Sequence, residues 1–242
     1  MIVSHIQDFC SIFLIFIFIL IFISPSPIFK YPSKALYHLS IKSRRPLLII
    51  MSSYSSQTSA EQVAQDCQNA ITNKTVLVTG VSPGGLGAEF AKVIAIHGPS
   101  LLILASRDIA KAQQTAQEIA DIAPGVPTRL LELDLRSQAQ VRIAAKEVLT
   151  YKEDIDVLVN NAGVMASPFS LTDDGIESQF ATNHVGHFLF TNLIMEKLVI
   201  PGKSCRIVNV SSNGHLLSPV RFHDWNFDVS IYVMVPNSGS RS

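Results

Sequence analysis

The chain has 242 residues, with 19 basic and 19 acidic side chains and a formal net charge of zero, so nothing in its charge selects a nucleic acid or another polyanion as partner. Its three cysteines, Cys10, Cys67 and Cys205, fall at no disulfide or zinc spacing, which predicts free thiols, a reducing compartment and no metal site. The hydrophobic share of 48% is high for a soluble domain, but the excess lies in the first fifty residues.

Residues 1–50 form a hydrophobic leader in which only Cys10 and Ser11 interrupt an apolar run from Phe9 to Ile23. As a helix rising ~1.5 Å per residue this run spans roughly 22 Å, short of a ~30 Å hydrocarbon core, and reaches across only if it continues to Phe29 through Pro25 and Pro27. One reading is membrane association through residues 9–29, with Lys30, Lys34, Lys42, Arg44 and Arg45 holding the rest of the chain on the cytoplasmic side. The other is that the protein starts at Met51, which opens the polar stretch MSSYSSQTSAEQ, and that residues 1–50 are an over-extended gene model. Within residues 51–72, Ser59-x-x-Gln62 reads as a capping box opening a short helix through Ile71.

Residues 73–228 read as the main domain, organised around Thr75 to His97. Val76, Leu77 and Val78 form a short apolar strand, and Phe90, Val93, Ile94 and Ile96 recur on one side of a helix. Between them stand Gly80, Gly84, Gly85 and Gly87, where the backbone can turn sharply and approach a ligand closely. The amides opening the helix are a seat for a pyrophosphate. Gly98 closes that helix, and Leu101 to Ala105 form a second strand. In dinucleotide-binding folds an acid near this strand's end binds a ribose 2′-hydroxyl, and an arginine suits a 2′-phosphate. Here Ser106 and Arg107 follow, with Lys111 one turn later, a pairing that favours NADP over NAD; Asp108 weighs against it, and a solvated helix start is the plainer alternative.

Ile109, Ala112, Ala116, Ile119 and Ile122 mark a helix ending near Pro124-Gly125. Arg129 to Leu135 follow as a third strand, with Asp134 either contacting an adenine or capping the helix that begins near Ser137. A fourth strand, Ile155 to Val159, runs into Asn160-Asn161-Ala162-Gly163. A helix from about Gly175 to Leu198 should turn Phe180, Phe188, Thr191 and Ile194 toward the sheet, before a fifth strand at Arg206 to Val210. His184 and His187, three apart with no third ligand in view, read as helix-face residues rather than a metal pair.

Taken together these motifs resemble the short-chain dehydrogenase/reductase family. Thr79-Gly80 with Gly85-Leu86-Gly87 is similar to its cofactor turn, Asn160-Asn161-Ala162-Gly163 to its fourth-strand motif, Asn183 to its active-site asparagine, and Val208-Asn209-Val210-Ser211-Ser212 to the strand that ends on its catalytic serine. The stretches Asn183 to Phe188 and Ser218 to Phe222 resemble the retinol-dehydrogenase-like branch, which includes fungal-type reductases. The resemblance implies an α/β fold with a Rossmann-type doubly wound parallel sheet in three layers. It implies cofactor contacts at Gly80, Ser82, Gly84, Gly85, Leu86, Gly87, Arg107, Lys111, Asp134, Leu135, Asn161, Ala162 and Gly163. Ser212 would hold the substrate oxygen and Asn183 a water relay, in a cytoplasmic domain acting on a small-molecule carbonyl or alcohol, with a homo-oligomer as the expected assembly.

Two departures stand out. The cofactor turn carries one extra residue, since four residues separate Gly80 from Gly85. More consequentially, the family's tyrosine four residues before a lysine is missing after Ser212: Tyr232 is the only tyrosine there, Pro236 occupies the lysine position, and no lysine follows Lys203. Residues 229–242 look unrelated to the family, as translation of an unspliced intron beginning at Val229-Ser230 would be. The sheet is then expected to be C-terminally incomplete, leaving the fifth strand as an edge unless Ile231 to Val235 cover it. Two functions follow: an NADP-dependent oxidoreductase impaired in this form, or a non-catalytic dinucleotide-binding or interaction protein.

Overall fold

The computed structural model describes residues 17–20, 54–212 and 222–227. The remainder of the leader, Ser218 to Arg221, Tyr232, Pro236 and the stretch 229–242 lie outside the described residues, and with them the expectations attached to each. Among the described residues no helix is long and apolar enough to cross a membrane.

The elements run β1 (Ile17–Leu20), α1 (Ala60–Asp66), β2 (Thr75–Thr79), α2 (Leu86–Ala95), β3 (Leu101–Ser106), α3 (Ile109–Ile122), β4 (Thr128–Glu132), α4 (Gln138–Leu149) and β5 (Val157–Asn160). An α turn at Ser178–Phe180, a π-helical turn at Ala181–Val185 and the helix α5 (Gly186–Leu193) follow without a break. A short helix α6 (Met195–Leu198) and the strand β6 (Arg206–Val210) come last. Ser59 caps α1 by accepting from the Gln62 amide, as expected, but α1 stops at Asp66 and a 3₁₀ turn at Gln68–Ala70 continues it.

The sheet order is β1-β6-β5-β2-β3-β4, with β2 through β6 parallel and β1 antiparallel against β6. The chain steps outward from β2 to β4, then returns to the other side of β2 for β5. That reversal makes a switch point between β2 and β5, the crevice in which open α/β sheets hold ligands. Helices cover both faces. Leu77, Ile103, Leu131 and Leu158 pack with Val141 and Ala145 of α4, Phe190 of α5 and Ile194 just after it, while Val76, Val78, Leu102 and Leu104 pack with Ala91, Ile94, Ala112 and Ile119 of α2 and α3. Every residue of β2 and β3 is buried, which is why those strands read as unbroken apolar runs instead of alternating ones. This is the expected Rossmann-type doubly wound, three-layer sheet.

Three details correct the sequence reading. Ile96 was expected on the inward stripe of α2, but the helix ends at Ala95 and the chain swings through Gly98 at φ +67°, leaving Ile96 61% exposed. Phe188 was expected against the sheet and is 66% exposed. The π turn accounts for it: its extra residue rotates the following helix by about 100°, so that His187 and Phe190 face inward in place of Phe188, while Ile194 is buried as expected. Finally, β6 is not a bare edge, because Ile17–Leu20 pairs along it. Its faces are less covered than those of β2 and β3: Arg206, Asn209 and Val210 are exposed, and Ile207 and Val208 are half-buried against the two core clusters.

Candidate functional site

The turn after β2 is set by close approach. A Cβ on Gly80, which sits at φ +77°, would lie 2.7 Å from the Ala162 Cα, and one on Gly87 would lie 2.5 Å from both the Asn161 Nδ2 and the Gly80 carbonyl oxygen. Any side chain at either place pushes β2's turn away from the end of β5. Gly84, at φ +72°, faces open space. The Gly85 amide donates to the Ser82 carbonyl at 3.0 Å, and Gly85 then caps α2 with no side chain covering the first amides of the helix. Leu86 and Gly87 therefore open α2 with donors directed out of the turn, the arrangement that receives a phosphate. Val81 is buried, and the Thr115 hydroxyl on α3 donates to its carbonyl at 2.7 Å, bracing the loop that carries the extra residue.

Thr79 and Asn161 tie the two sides of the switch point together. The Thr79 hydroxyl oxygen receives the amides of Asn161 and Ala162, each at 3.0 Å. In return the Asn161 side chain donates to the Thr79 carbonyl at 2.8 Å and the Gly80 carbonyl at 3.2 Å. Asn161 thus spends its amide group on shaping the turn, and Ala162 forms the wall against which Gly80 rests. Gly163 is exposed just beyond them. Asn160, buried, donates from its side chain to the Thr191 hydroxyl at 3.1 Å and to the Asn209 side-chain Oδ1 at 2.9 Å, which links β5 to α5 and β6.

At the end of β3, Ser106 is buried and its hydroxyl accepts from the Asp108 amide at 3.2 Å. Asp108 caps α3, its carboxylate accepting from the amides of Ala110 at 3.0 Å and Lys111 at 3.3 Å. Its negative charge is thereby occupied by the helix start, while Arg107 and Lys111 are exposed on either side of it. Asp134 lies past the end of β4 and accepts from the Arg136 amide at 2.9 Å; the cap of α4 is Ser137, not Asp134. Asp134 lines a polar depression with Arg136, Ser137, Thr172 and Asp173, and Leu135 is buried where the backbone of Gly186 comes close to its own.

Asn183, expected as the active-site asparagine, stands inside the π turn. Its side chain closes a pair of bonds with one residue: the Oδ1 accepts from the Val164 amide and the Nδ2 donates to the Val164 carbonyl, both at 2.8 Å. Ser212 is exposed two residues past the end of β6. The buried Glu177 starts this helical stretch, its carboxylate accepting from the amides of Gln179 at 2.9 Å and Phe180 at 2.7 Å. The segment 222–227 docks here, since Asn226 accepts from the Glu177 amide at 2.6 Å and the Trp225 ring lies 6.0 Å from that of Phe180.

Three residues with roles in this site escaped sequence reasoning: Thr79 as a hub, Thr115 as a brace, and His187. Thr115 had a signal, because it is a polar residue inside the inward stripe of Ala112, Ala116 and Ile119; His187 had none, since its inward place depends on the π turn. His187 is 6% exposed, its Nε2 lies 3.0 Å from the Thr79 hydroxyl and its Nδ1 3.4 Å from the Asn183 carbonyl. Burial pushes its pKa down to about 4, so the ring is neutral near pH 7. Among the described residues no group of three or more His, Cys, Asp or Glu side chains is placed to hold a metal.

A glycine turn braced against an Asn-Ala-Gly segment, over a doubly wound sheet, is the nucleotide half of a dehydrogenase, and the family model for short chain dehydrogenases matches residues 74–221. The chain belongs to that family of oxidoreductases. It is 40% identical over 178 residues to the Oxidoreductase fscI of Fusarium equiseti, covering 72% of this chain and 69% of that one. It is also 40% identical over 162 residues to the human Retinol dehydrogenase 13, covering 67% of this chain but only 48% of that protein. A crystal structure of an uncharacterized protein from Mycobacterium Paratuberculosis superposes with a TM-score of 0.57 at 37% identity, over 67% of this chain and 55% of that one. The chain thus spans about half the length of several of its relatives.

Proposed function

We propose that the chain binds NADP(H) in preference to NAD(H) and is built to move hydride between that cofactor and a small-molecule carbonyl or alcohol. The observation that carries the cofactor choice is the end of β3, where Asp108 turns its carboxylate onto the α3 amides and leaves Arg107 and Lys111 as the available charges. Two cations there favour a 2′-phosphate, and the acid between them, Asp108, already serves as the cap of α3. The turn fits a pyrophosphate for a separate reason: the cradle at Gly80 and Gly87 has no room for a Cβ, and the first amides of α2 carry no side-chain cap.

The nicotinamide supplies or accepts the hydride when bound. Around it the chain's own residues orient and polarise. The Ser212 hydroxyl holds the substrate oxygen, and the Asn183 main chain holds a water, because its side chain is already committed to Val164. Among residues 213–242 no tyrosine stands four residues before a lysine, and a form limited to these residues offers no such proton donor to the developing alkoxide. General acid catalysis contributes roughly 10² to 10⁴ in rate, so binding should survive while turnover nearly disappears. That same gap favours the second reading, a dinucleotide-binding protein without catalysis.

Titration of the full chain with NADPH and NADH tests both. Tighter binding of NADPH is expected, with Arg107→Ala weakening it about tenfold, equivalent to about 1.4 kcal/mol, and leaving NADH unchanged. Equal affinity for the two nucleotides overturns the cofactor choice, and failure of a folded chain to bind either overturns both readings. Measurable oxidation of NADPH by a carbonyl substrate separates the first reading from the second.

A further inference from the structure

His187 has an unusual place for a residue of its kind: buried on the inward face of α5, between the hub of the cofactor turn and the backbone of the active-site asparagine. Its proton can be located by counting. The Thr79 hydroxyl oxygen accepts two amides, from Asn161 and Ala162, and these use both of its lone pairs. Its single proton then has two acceptors within reach, the Val159 carbonyl at 3.5 Å and the His187 Nε2 at 3.0 Å. The shorter contact takes it. Nε2 is therefore an acceptor, and a neutral imidazole with an accepting Nε2 carries its hydrogen on Nδ1. Nδ1 faces the Asn183 carbonyl.

The other end of this bond is the group with a task left to perform. Both polar atoms of the Asn183 side chain are held by Val164, and the main chain at Asn183 lies in the π turn, where i to i+4 pairing gives way to i to i+5. We infer that His187 is a positioning residue, an Nδ1–H imidazole that takes the Thr79 proton on Nε2 and uses Nδ1–H to fix the direction of the Asn183 carbonyl. Through Thr79 the amides of Asn161 and Ala162 belong to the same network, so the cofactor turn and the active-site helix share one hydrogen-bonded joint. The value of that joint for catalysis rests on the functional reading above, but the protonation pattern and the hold on Asn183 do not.

The test uses the full, isotope-labelled chain. Long-range ¹H–¹⁵N correlation spectra at pH 7 should show the His187 Nδ1 protonated and the Nε2 bare; a hydrogen on Nε2, or a cationic ring, overturns the inference. Two substitutions then divide the bonds. His187→Asn keeps a donor near the Nδ1 position, and His187→Gln keeps an acceptor near the Nε2 position. The Asn183 carbonyl ¹³C resonance should move upfield in His187→Gln and stay near its wild-type place in His187→Asn, whereas a histidine that merely fills space would shift it equally in both. Should neither variant fold, the tautomer of the wild-type ring still decides. If the ring has the expected tautomer and the folded chain binds no NADPH, the functional reading falls and the joint stands.

Discussion

β2 and β6 both belong to the parallel sheet and both have partner strands on each side, yet their environments differ. All five residues of β2 are buried, with α2 and α3 on one face and α4 and α5 on the other, and the turn beyond it leaves no room for a Cβ at Gly80 or Gly87. No residue of β6 is fully buried, and Ser212 beyond it is exposed. Strand pairing satisfies the backbone in both cases. The difference lies in face cover, which supplies most of the hydrophobic stabilisation. It follows that the side of the sheet around β2 is closely specified by contacts within the described chain, and that β6, where only Ile207 and Val208 reach the two core clusters, is less firmly fixed by burial.

The comparison is broken most directly at Gly87. Gly87→Ala places a Cβ against the Asn161 side chain and the Gly80 carbonyl, neither of which can move without opening the Thr79 network. A loss of about 3 kcal/mol and of NADPH binding is expected. Gly84→Ala meets nothing within 4 Å and pays only for its left-handed backbone, about 1–2 kcal/mol. Urea unfolding and NADPH titration of the two variants check this, and equal effects would mean that the turn is not tightly packed.

Acid probes the joint between the two sides. His187 has its pKa lowered to about 4, chiefly by burial, with the neighbouring His184 adding a smaller push in the same direction. An unfolded histidine binds its proton near pH 6.5, so the contribution is complete above that value and is lost as pH falls toward 4, up to about 3 kcal/mol in all. Glu153, paired with Arg129 through two bonds of 2.9 and 3.1 Å at the far edge of the sheet, has its pKa lowered to about 2, first of all by that pairing. Its contribution declines only below the ordinary carboxylate range. Unfolding midpoints between pH 7 and 4.5 should therefore fall in the wild type and fall less in His187→Gln, and parallel declines would assign the acid sensitivity elsewhere.

Much of this was legible in the sequence because its causes are local. The strand, glycine turn and helix at Thr75 to Ala95 follow from apolar runs, a helical period and residues lacking a Cβ, all of which act over a few positions. The cap at Ser59 and the closure at Gly98 are of the same kind. What could not be read depends on contacts distant in sequence or on a change of period. The π turn at Ala181–Val185 rotates the following helix, which exchanges Phe188 for His187 on the inward face. Nothing in a regular 3.6-residue pattern announces it. The Asn161 side chain donates to carbonyls some 80 residues earlier, at Thr79 and Gly80, a pairing that only the sheet order creates.

The smallest expected effect sharpens the contrast between strands by making one chemical change in each. Val78→Thr puts a hydroxyl where the side chain is fully buried among Val76, Leu102 and Ala91, with the β2 backbone already paired to β3 and β5. Without a new partner the added polar group costs about 1–3 kcal/mol. Val210→Thr makes the same exchange at a residue 39% exposed, where water can solvate the hydroxyl and threonine keeps the β-branched shape favoured in strands. A change within about 0.5 kcal/mol is expected there. Because shape and volume change alike in both variants, the gap between their urea midpoints measures face cover alone, and a cost at Val210 equal to that at Val78 would show that β6 is as well buried in solution as β2.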